Sequence, residues 1–460
     1  MYQIDFHKPQ FIHFIGIGGI SMSGLAEVLL GAGFRISGSD AKASALTDRL
    51  SQKGAEVVIG QSADNISPDL DCVVYTAAVH SDNPEFRAAE DAGIPILTRA
   101  ELLGEIMRQY RTAIAVAGTH GKTTTTSMAS HILLRAEADP TISVGGMLPV
   151  IGGNIRVGTS DVFLAEACEY TNSFLSLFPT IGIILNIDAD HLDFFKDLDD
   201  ITHSFRKFAE LIPEEGTLII NRDSDRWEEV AAGLSCKVLT YGSDEASDYR
   251  AVNVSHDEHG CGIFTCLEKG SPIGTFHLNV PGSHNVSNAL SVIALGRLLD
   301  LPVETIAEGL QDFRGTVRRF EYKGERNGFT IIDDYAHHPT EIAATLSAAA
   351  NYPHRELWVT FQPHTYTRTK ALLPEFARAL SASDHVVLAD IYAARETDNL
   401  GISSDTLREQ IAELGTDAYY FPSFEEVEAF LLEQVKPGDL VITMGAGDVV
   451  QIGEDLLKTK

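Results

Sequence analysis

The sequence predicts an α/β fold with mostly parallel sheets, divided among three domains. Three observations carry this. The chain has 460 residues, and at roughly 100–200 residues per domain that length suits about three domains. Short apolar strands alternate with helical segments, and the alternation restarts twice, near residues 108 and 316. Glycine-rich turns join a strand to a helix at residues 16–21 and 118–124, as in parallel sheets that bind phosphates.

In the first third, Phe11–Ile17 reads as a strand, Ser21–Gly31 as a helix, Arg35–Gly38 and Asp71–Thr76 as strands and Ile94–Leu97 as a short strand. Helical residues Glu101–Tyr110 close it. The pattern restarts with strand Thr112–Ala117 and helix Lys122–Ala136, followed by buried strands at Val162–Ala167 and Thr180–Ile187. A polar, turn-rich β segment spans about 216–280, and helix Ser287–Leu299 ends that region. After Phe313–Phe320 come strands at Thr330–Asp333, Leu357–Thr360, His385–Leu388 and Leu440–Thr443. The expected domains are 1–107, 108–316 and 317–460.

Composition narrows the function. Lys and Arg total 35 against 65 Asp and Glu, a net charge of −30. That charge disfavours nucleic acids and anionic lipid as partners. No uninterrupted apolar run is long enough to insert in a membrane, and Asp5, His7 and Lys8 precede any apolar stretch, against a secretory leader. The five cysteines, Cys72, Cys168, Cys236, Cys261 and Cys266, are scattered and form no CxxC pair, which argues against a zinc ribbon and suits a reducing cytoplasm. Any anionic substrate must be captured locally, by backbone N–H groups, a few basic side chains or a metal.

The first glycine turn is Gly16-Ile17-Gly18-Gly19-Ile20-Ser21. It lets backbone approach a diphosphate at a helix N-terminus, and the second strand ends in Ser39-Asp40, where a carboxylate can take a ribose hydroxyl. By itself this pattern serves NAD, FAD, a UDP-sugar or only a tight turn. The second turn, Gly118-Thr119-His120-Gly121-Lys122-Thr123-Thr124, is a shortened phosphate loop with Val116 where the first Walker glycine would stand. Lys122 would reach the β/γ-phosphates of ATP and Thr123 would ligate Mg²⁺. Two later strands end in Glu166 and in Asn186-Ile187-Asp188-Ala189-Asp190-His191, beyond the carboxyl ends where open parallel sheets gather functional groups. Glu166 and His191 are the expected metal-side residues.

GTHGKTTT, NIDADHLD, GSHNVSNA (282–289) and DDYAHHPTEI (333–342) together resemble the Mur ligases, ATP-dependent amide-forming enzymes of peptidoglycan synthesis, over essentially the whole chain. GIGGISMSG (16–24), FRGTVRRF (313–320), FQPHTYTRT (361–369) and DIYAARE (390–396) resemble the members that join a single L-alanine to UDP-N-acetylmuramate. The resemblance implies a Rossmann-like N-terminal domain for the UDP moiety, a central phosphate-loop ATPase domain and a Rossmann-like C-terminal domain for the amino acid. It implies that Gly16, Gly18 and Gly19 face the diphosphate, with Ser39, Asp40, Thr76, Ala77 and Ala78 toward the uridine. It assigns Gly118, Thr119, His120, Gly121, Lys122, Thr123, Thr124, Asn186, His284, Asn285 and Asn288 to ATP, and Thr123, Glu166 and His191 to Mg²⁺. Arg318 and Arg319 would clamp anionic groups, completing a catalytic set with Lys122, Glu166 and His191. Tyr335, His337, His364 and Arg368 would line the amino-acid end. A cytoplasmic monomer or homodimer is expected.

Two positions depart from the family pattern. Ala167-Cys168-Glu169-Tyr170 stands where an EADESD-like acidic run is expected. Phe205 takes the register in which several sister ligases carry a carbamylated lysine, so no carbamate is assigned. The competing readings are a ligase that attaches a whole tripeptide to the same UDP-sugar, a non-hydrolysing nucleotide-binding regulator and an NAD-linked oxidoreductase. The last leaves the second phosphate loop unexplained.

Overall fold

The computed structural model describes residues 2–76, 79–191, 194–257, 259–394 and 396–458. Three sheets organise them. The first contains β1 (Phe11–Ile15), β2 (Arg35–Asp40), β3 (Glu56–Ile59), β4 (Cys72–Tyr75) and β5 (Ile96–Thr98). Their order is β3-β2-β1-β4-β5, and every pair is parallel. β1 is buried along its whole length, as a central strand covered by helices on both faces must be. Its one polar residue, His13, bonds through Nδ1 to Ser37 Oγ at 2.8 Å. The covering helices are α1 (Ile20–Gly31), α2 (Ala45–Gln52), α3 (Pro84–Asp91) and α4 (Arg99–Met107). Ser44–Thr47 and Thr98–Glu101 form capping boxes that start α2 and α4. Asn83 caps α3 just before Pro84.

The second sheet contains β6 (Thr112–Ala117), β7 (Thr141–Leu148), β8 (Gly153–Arg156), β9 (Val162–Glu166), β10 (Ile181–Ile184), β11 (Thr217–Asn221) and β12 (Lys237–Tyr241). These seven run in the order β12-β11-β10-β6-β9-β7-β8. Only β7–β8 is antiparallel among them. β6 therefore lies between β9 and β10, and its carboxyl end opens beside theirs. Helices α5 (Lys122–Arg135) and α6 (Leu198–Glu210) follow β6 and β10 in the chain. Three further strands, β13 (Tyr249–His256), β14 (Cys261–Glu268) and β15 (Ser271–Pro281), lead into helix Ser283–Leu298.

The third sheet contains β16 (Glu321–Arg326), β17 (Phe329–Asp334), β18 (Leu357–Phe361), β19 (His385–Leu388), β20 (Asp417–Tyr420) and β21 (Leu440–Met444). Its order is β16-β17-β21-β18-β19-β20, parallel except for the β16–β17 pair.

The described chain forms two compact units. One comprises residues up to 250 with 266–274 and 288–309; the other comprises 251–265, 275–287 and 310 onward. The first two sheets thus share one unit, because helices of the N-terminal segment pack directly on the central segment. A Cβ on Gly24 of α1 would come within 2.2 Å of Ile155 in β8, and one on Gly104 of α4 within 1.9 Å of the Ser176 carbonyl oxygen.

Several elements differ from the sequence reading. β3, absent from the sequence reading, is a short strand at the edge of its sheet, with Val58 and Ile59 exposed. β7 is interrupted in pattern by Gly145-Gly146, and the first of these glycines leaves room for the Glu166 carboxylate, 2.6 Å from where its Cβ would stand. The segment read as turn-rich β from 216 instead begins with two parallel strands, β11 and β12, and encloses helix Trp227–Ala231. Helix Ser283–Leu298 starts four residues before the expected Ser287. All five cysteines are free. Phe205 is fully buried against Phe174, edge to face at 5.3 Å, so an apolar ring fills that register of α6.

The packing at Gly104 is testable. Gly104→Ala forces a methyl into a backbone carbonyl and should destabilise by about 1–3 kcal/mol. Gly31→Ala meets nothing within 4 Å and should be neutral or stabilising. Thermal unfolding of the two variants side by side checks this; equal melting temperatures would contradict the packing.

Candidate active site

β6 runs into Gly118, and α5 starts at Lys122, so the four residues 118–121 make the whole turn. Gly118 (φ 151°) and Gly121 (φ 81°) take backbone angles that side chains disfavour. Leu185 and Asn288 crowd the positions where Cβ atoms would sit. The turn is tied to the residues after β10. Asn186 Oδ1 accepts from His120 N at 2.7 Å, and its Nδ2 donates to His120 O at 3.0 Å. Asp188 N donates to Thr119 Oγ1 at 2.9 Å. Asn186 thus shapes the loop itself. No side chain caps α5, so the amides of its first turn remain available to an anion.

Lys122 curls back over this turn. Its Nζ donates to the Gly118 and Thr119 carbonyls at 2.6 and 2.9 Å and pairs with Glu169 Oε2 at 2.8 Å. Glu169 is 2% exposed, and its other oxygen lies 3.5 Å from His191 Nε2. Burial alone would lower the amine's pKa, but Glu169, together with Cys168 and Glu166, outweighs it and raises it. Burial would likewise raise the Glu169 carboxyl, and Lys122 with His191 brings it below its ordinary value. His191 has φ 52° and packs on the Tyr170 ring at 4.6 Å between centroids.

Thr123 Oγ1 donates to Glu166 Oε1 at 3.1 Å, and Gly145 N donates to Glu166 Oε2 at 2.7 Å. Two of the three predicted metal residues are therefore adjacent, while His191 faces Glu169. Among the described residues no group of three or more His, Cys, Asp or Glu could hold a metal. A hydroxyl beside one carboxylate suits Mg²⁺, which binds few protein oxygens and completes its shell with phosphates and water.

At the N-terminal turn, Gly16 N and Ile17 N donate to the Ser39 carbonyl at 2.8 and 2.9 Å. The Ser39 hydroxyl is fully buried and donates to Glu85 at 2.5 Å. Ser39 holds the turn from behind. Asp40 Oδ2 accepts from Gly18 N at 2.9 Å. Thr76 lies against Gly16, its Cγ2 3.1 Å from where a Cβ would be. Gly19 begins α1 without a side-chain cap. Ala77 and Ala78 lie outside the described residues.

Thr124 lies in the first turn of α5, and the remaining predicted residues fall in the second unit. Asn285 Nδ2 donates to Pro281 O at 2.7 Å. Burial, with Arg319 nearby, lowers the His284 pKa to about 4. Arg318 is fully engaged: Nε to Asp333 at 2.9 Å, Nη1 to Gly447 O at 2.8 Å and Nη2 to Gly445 O at 2.6 Å. Among the described residues, the one ion pair of Arg319 is a long one, to Glu341 at 3.9 Å. Both guanidinium carbons lie near the Tyr335 ring, 5.0 and 5.3 Å from its centroid. His337 Nδ1 sits 3.2 Å from Glu341 and 3.0 Å from Tyr335 O. Its ring meets His364 edge to face at 5.8 Å, and His364 stacks on Tyr392 at 5.6 Å. Arg368 Nη1 is 3.4 Å from His364 Nδ1. Burial first, then the charges of His337 and Arg368, lowers the His364 pKa to about 4.

Two residues of these clusters carry no role in the sequence reading. Glu169 stands in the segment Ala167-Cys168-Glu169-Tyr170, which departs from the family pattern, and Tyr392 lies inside DIYAARE.

A shortened phosphate loop at the carboxyl end of a central parallel strand, flanked by a hydroxyl–carboxylate pair and set among three α/β sheets, defines a nucleotide-dependent multidomain enzyme. Family models for the "Mur ligase family, catalytic domain", the "Mur ligase middle domain" and the "Mur ligase, glutamate ligase domain" match residues 11–111, 116–296 and 318–447. The chain is 62% identical over 458 residues to the UDP-N-acetylmuramate–L-alanine ligase of Agathobacter rectalis, covering 100% of both chains. It is 50% identical to the enzyme of the same name from Clostridium botulinum, covering 97% of each. The crystal structure of UDP-N-acetylmuramate-alanine ligase from Thermotoga maritima matches with a TM-score of 0.80 at 29% identity, covering 98% of both chains. A murein peptide ligase from Psychrobacter arcticus matches at 0.69 and 26%, with the same coverage. The chain belongs to the Mur ligase family and has its three-domain architecture.

The lowered imidazoles give a signed prediction. Against an ordinary value of 6.5, a folded value near 4 for His284 and His364 means the folded state binds fewer protons between those limits. Their contribution to stability is complete above about pH 6.5 and is lost as pH falls toward 4. Proton NMR of the histidine rings should show two that titrate near pH 4, and His364→Gln should remove one of them. A His364 ring titrating at 6.5 would contradict its enclosure.

Proposed function

We propose that this chain joins L-alanine to the lactyl carboxylate of UDP-N-acetylmuramate with cleavage of ATP, giving UDP-N-acetylmuramoyl-L-alanine, ADP and phosphate in peptidoglycan precursor synthesis. The observation that carries the reading is the Lys122–Glu169–His191 chain beside the Thr123–Glu166 pair. It occurs in a chain alike from end to end to ligases of that name.

A carboxylate is a poor electrophile, so it must first be activated. Its oxygen attacks the γ-phosphorus of ATP, the bond to ADP breaks, and an acyl phosphate forms. The alanine amine then attacks the acyl carbon, phosphate departs, and the amine's surplus proton is lost to leave the amide. Gly118–Gly121 and the first amides of α5 cradle the phosphates. Lys122 exchanges part of its contact with Glu169 for the β/γ-phosphates and neutralises charge as it builds. Thr123 and Glu166 are the residues that would hold Mg²⁺, which when bound offsets phosphate charge and polarises the γ-phosphoryl group.

In the second unit, His284 and Asn285 serve the nucleotide, and Arg319 is the arginine with donors to spare for an anion. Arg318 holds the 445–447 turn. His337, His364, Arg368 and Tyr335 form the amino-acid end, with Arg368 taking the alanine carboxylate. The Gly16–Gly19 turn and α1 bind the UDP diphosphate. An ATP-consuming enzyme with five free thiols belongs in the cytoplasm.

Phosphate release tests the reading. Wild-type protein should release phosphate with UDP-N-acetylmuramate, ATP and L-alanine, and not with a tripeptide in place of alanine; tripeptide preference would overturn it. Lys122→Ala should lower turnover at least a hundredfold; near-normal turnover would remove Lys122 from the ATP site. Arg368→Ala should raise KM for alanine tenfold or more, with KM for ATP little changed. Equal increases would exclude Arg368 from the alanine carboxylate.

A further inference from the structure

Among the described residues of the first unit, the arginines that are not exposed pair with carboxylates, with one exception. Arg49, Arg108, Arg156 and Arg206 of the first unit all pair with carboxylates. Arg99 does not. It opens α4 immediately after β5 and is partly buried. Its one side-chain hydrogen bond runs from Nη1 to Ser21 Oγ at 3.2 Å, and among the described residues it forms no ion pair.

Its position lies between two functional elements of the same unit. Ser21 stands in the first turn of α1, directly after the Gly16–Gly19 turn. The other end of α4 packs on segment 170–176, which follows Glu166 and Glu169 in the chain: Gly104 lies against Ser176 O, and Arg108 stacks over Phe178 at 3.8 Å. Burial lowers the Arg99 pKa, and the acidic groups whose field reaches it are Cys168 and Glu166. A guanidinium enclosed without a carboxylate is costly unless an anion completes it.

We infer that Arg99 binds the carboxylate of the UDP-linked sugar acid and holds it for attack on ATP, an assignment that rests on the function proposed above. The diphosphate already has the uncapped N-terminus of α1 and the amides of the glycine turn. The carboxylate has no such provision. It must approach the γ-phosphate beside Glu166, against a like charge, so it needs a cation on the sugar-nucleotide side. Arg99 stands there, and its planar fork of donors matches a carboxylate. The Ser21 hydroxyl fixes the orientation of that fork.

The test compares two sugar nucleotides by calorimetric titration. UDP-N-acetylmuramate carries the carboxylate; UDP-N-acetylglucosamine keeps the diphosphate and lacks it. Arg99→Gln should weaken binding of the first by about ten- to a hundredfold, the loss expected for a charged hydrogen-bonded contact. It should leave the second within about twofold, and KM for ATP and alanine should hold. Arg99→Lys, which keeps the charge and loses the fork, should fall between. Thermal unfolding of both variants verifies that they fold, and the lysine variant carries the test if the glutamine variant does not. Equal weakening of both ligands would move the guanidinium to the diphosphate and overturn the assignment, as would no change in either. Wild-type protein that binds neither ligand would overturn the proposed function itself.

Discussion

The buried carboxylate of Glu169 organises the nucleotide end of this molecule. It is almost wholly enclosed, so its charge stands only because Lys122 lies 2.8 Å away and His191 approaches from the other side. Taking both ions of such a pair out of water costs several kcal/mol each, which their attraction must repay through close geometry. The geometry follows from the sheet. β6 delivers Lys122 from the turn at its end, β9 delivers Glu166 and Glu169, and the strand between β6 and β11 delivers His191. Change the order of these strands and the three side chains no longer meet.

The same constraint explains why the phosphate turn is held by backbone and amide contacts. A lysine bonded to its own turn's carbonyls cannot define the shape of that turn once it swings toward phosphate. The shape is kept by Asn186, which bonds both the N–H and the C=O of His120, and by Thr119 on Asp188. These bonds do not involve the lysine, so Lys122 can change partner while the amides stay aimed. Such preorganisation is what gives fixed dipoles their catalytic value.

The parts of this design visible in sequence were those written in local pattern. GTHGKTTT after an apolar strand identifies a phosphate turn because glycine, lysine and threonine at that spacing have little other use. Glu166 and His191 were visible because they terminate buried strands of the same sheet. What escaped was set by distant packing. β7 was hidden because Gly145 breaks an apolar run, and that glycine is required by Glu166, 21 residues away. Ser39 resembled a ligand residue because it ends a strand, yet its hydroxyl turns inward to Glu85, which comes from α3. Arg318 and Arg319 are adjacent and chemically identical. Only the fold commits the first to Asp333 and two carbonyls and leaves the second, among the described residues, with one long ion pair.

The net charge of −30 first reads as an obstacle to a protein that must gather two anionic nucleotides and the carboxylate of an amino acid. The pairing pattern changes that reading. Lys122 waits on Glu169, and Arg319 stands near Glu341. Each of these cations is stabilised by an acid of the protein, so none is an unpaired buried charge before substrate arrives. A substrate phosphate or carboxylate then competes with that acid for a cation already oriented, and the net gain is the difference between two strong contacts. This keeps ground-state binding moderate and reserves the stronger interaction for groups whose charge grows along the reaction, which is where binding energy raises the rate. Arg99 follows the opposite logic. It has no acid to leave, so an anion placed against it is bound for the full value of the contact. That suits a carboxylate which must be held still before its oxygen attacks phosphorus. On this view the excess of acid side chains is part of the catalytic design, because it supplies the provisional partners that the substrates replace.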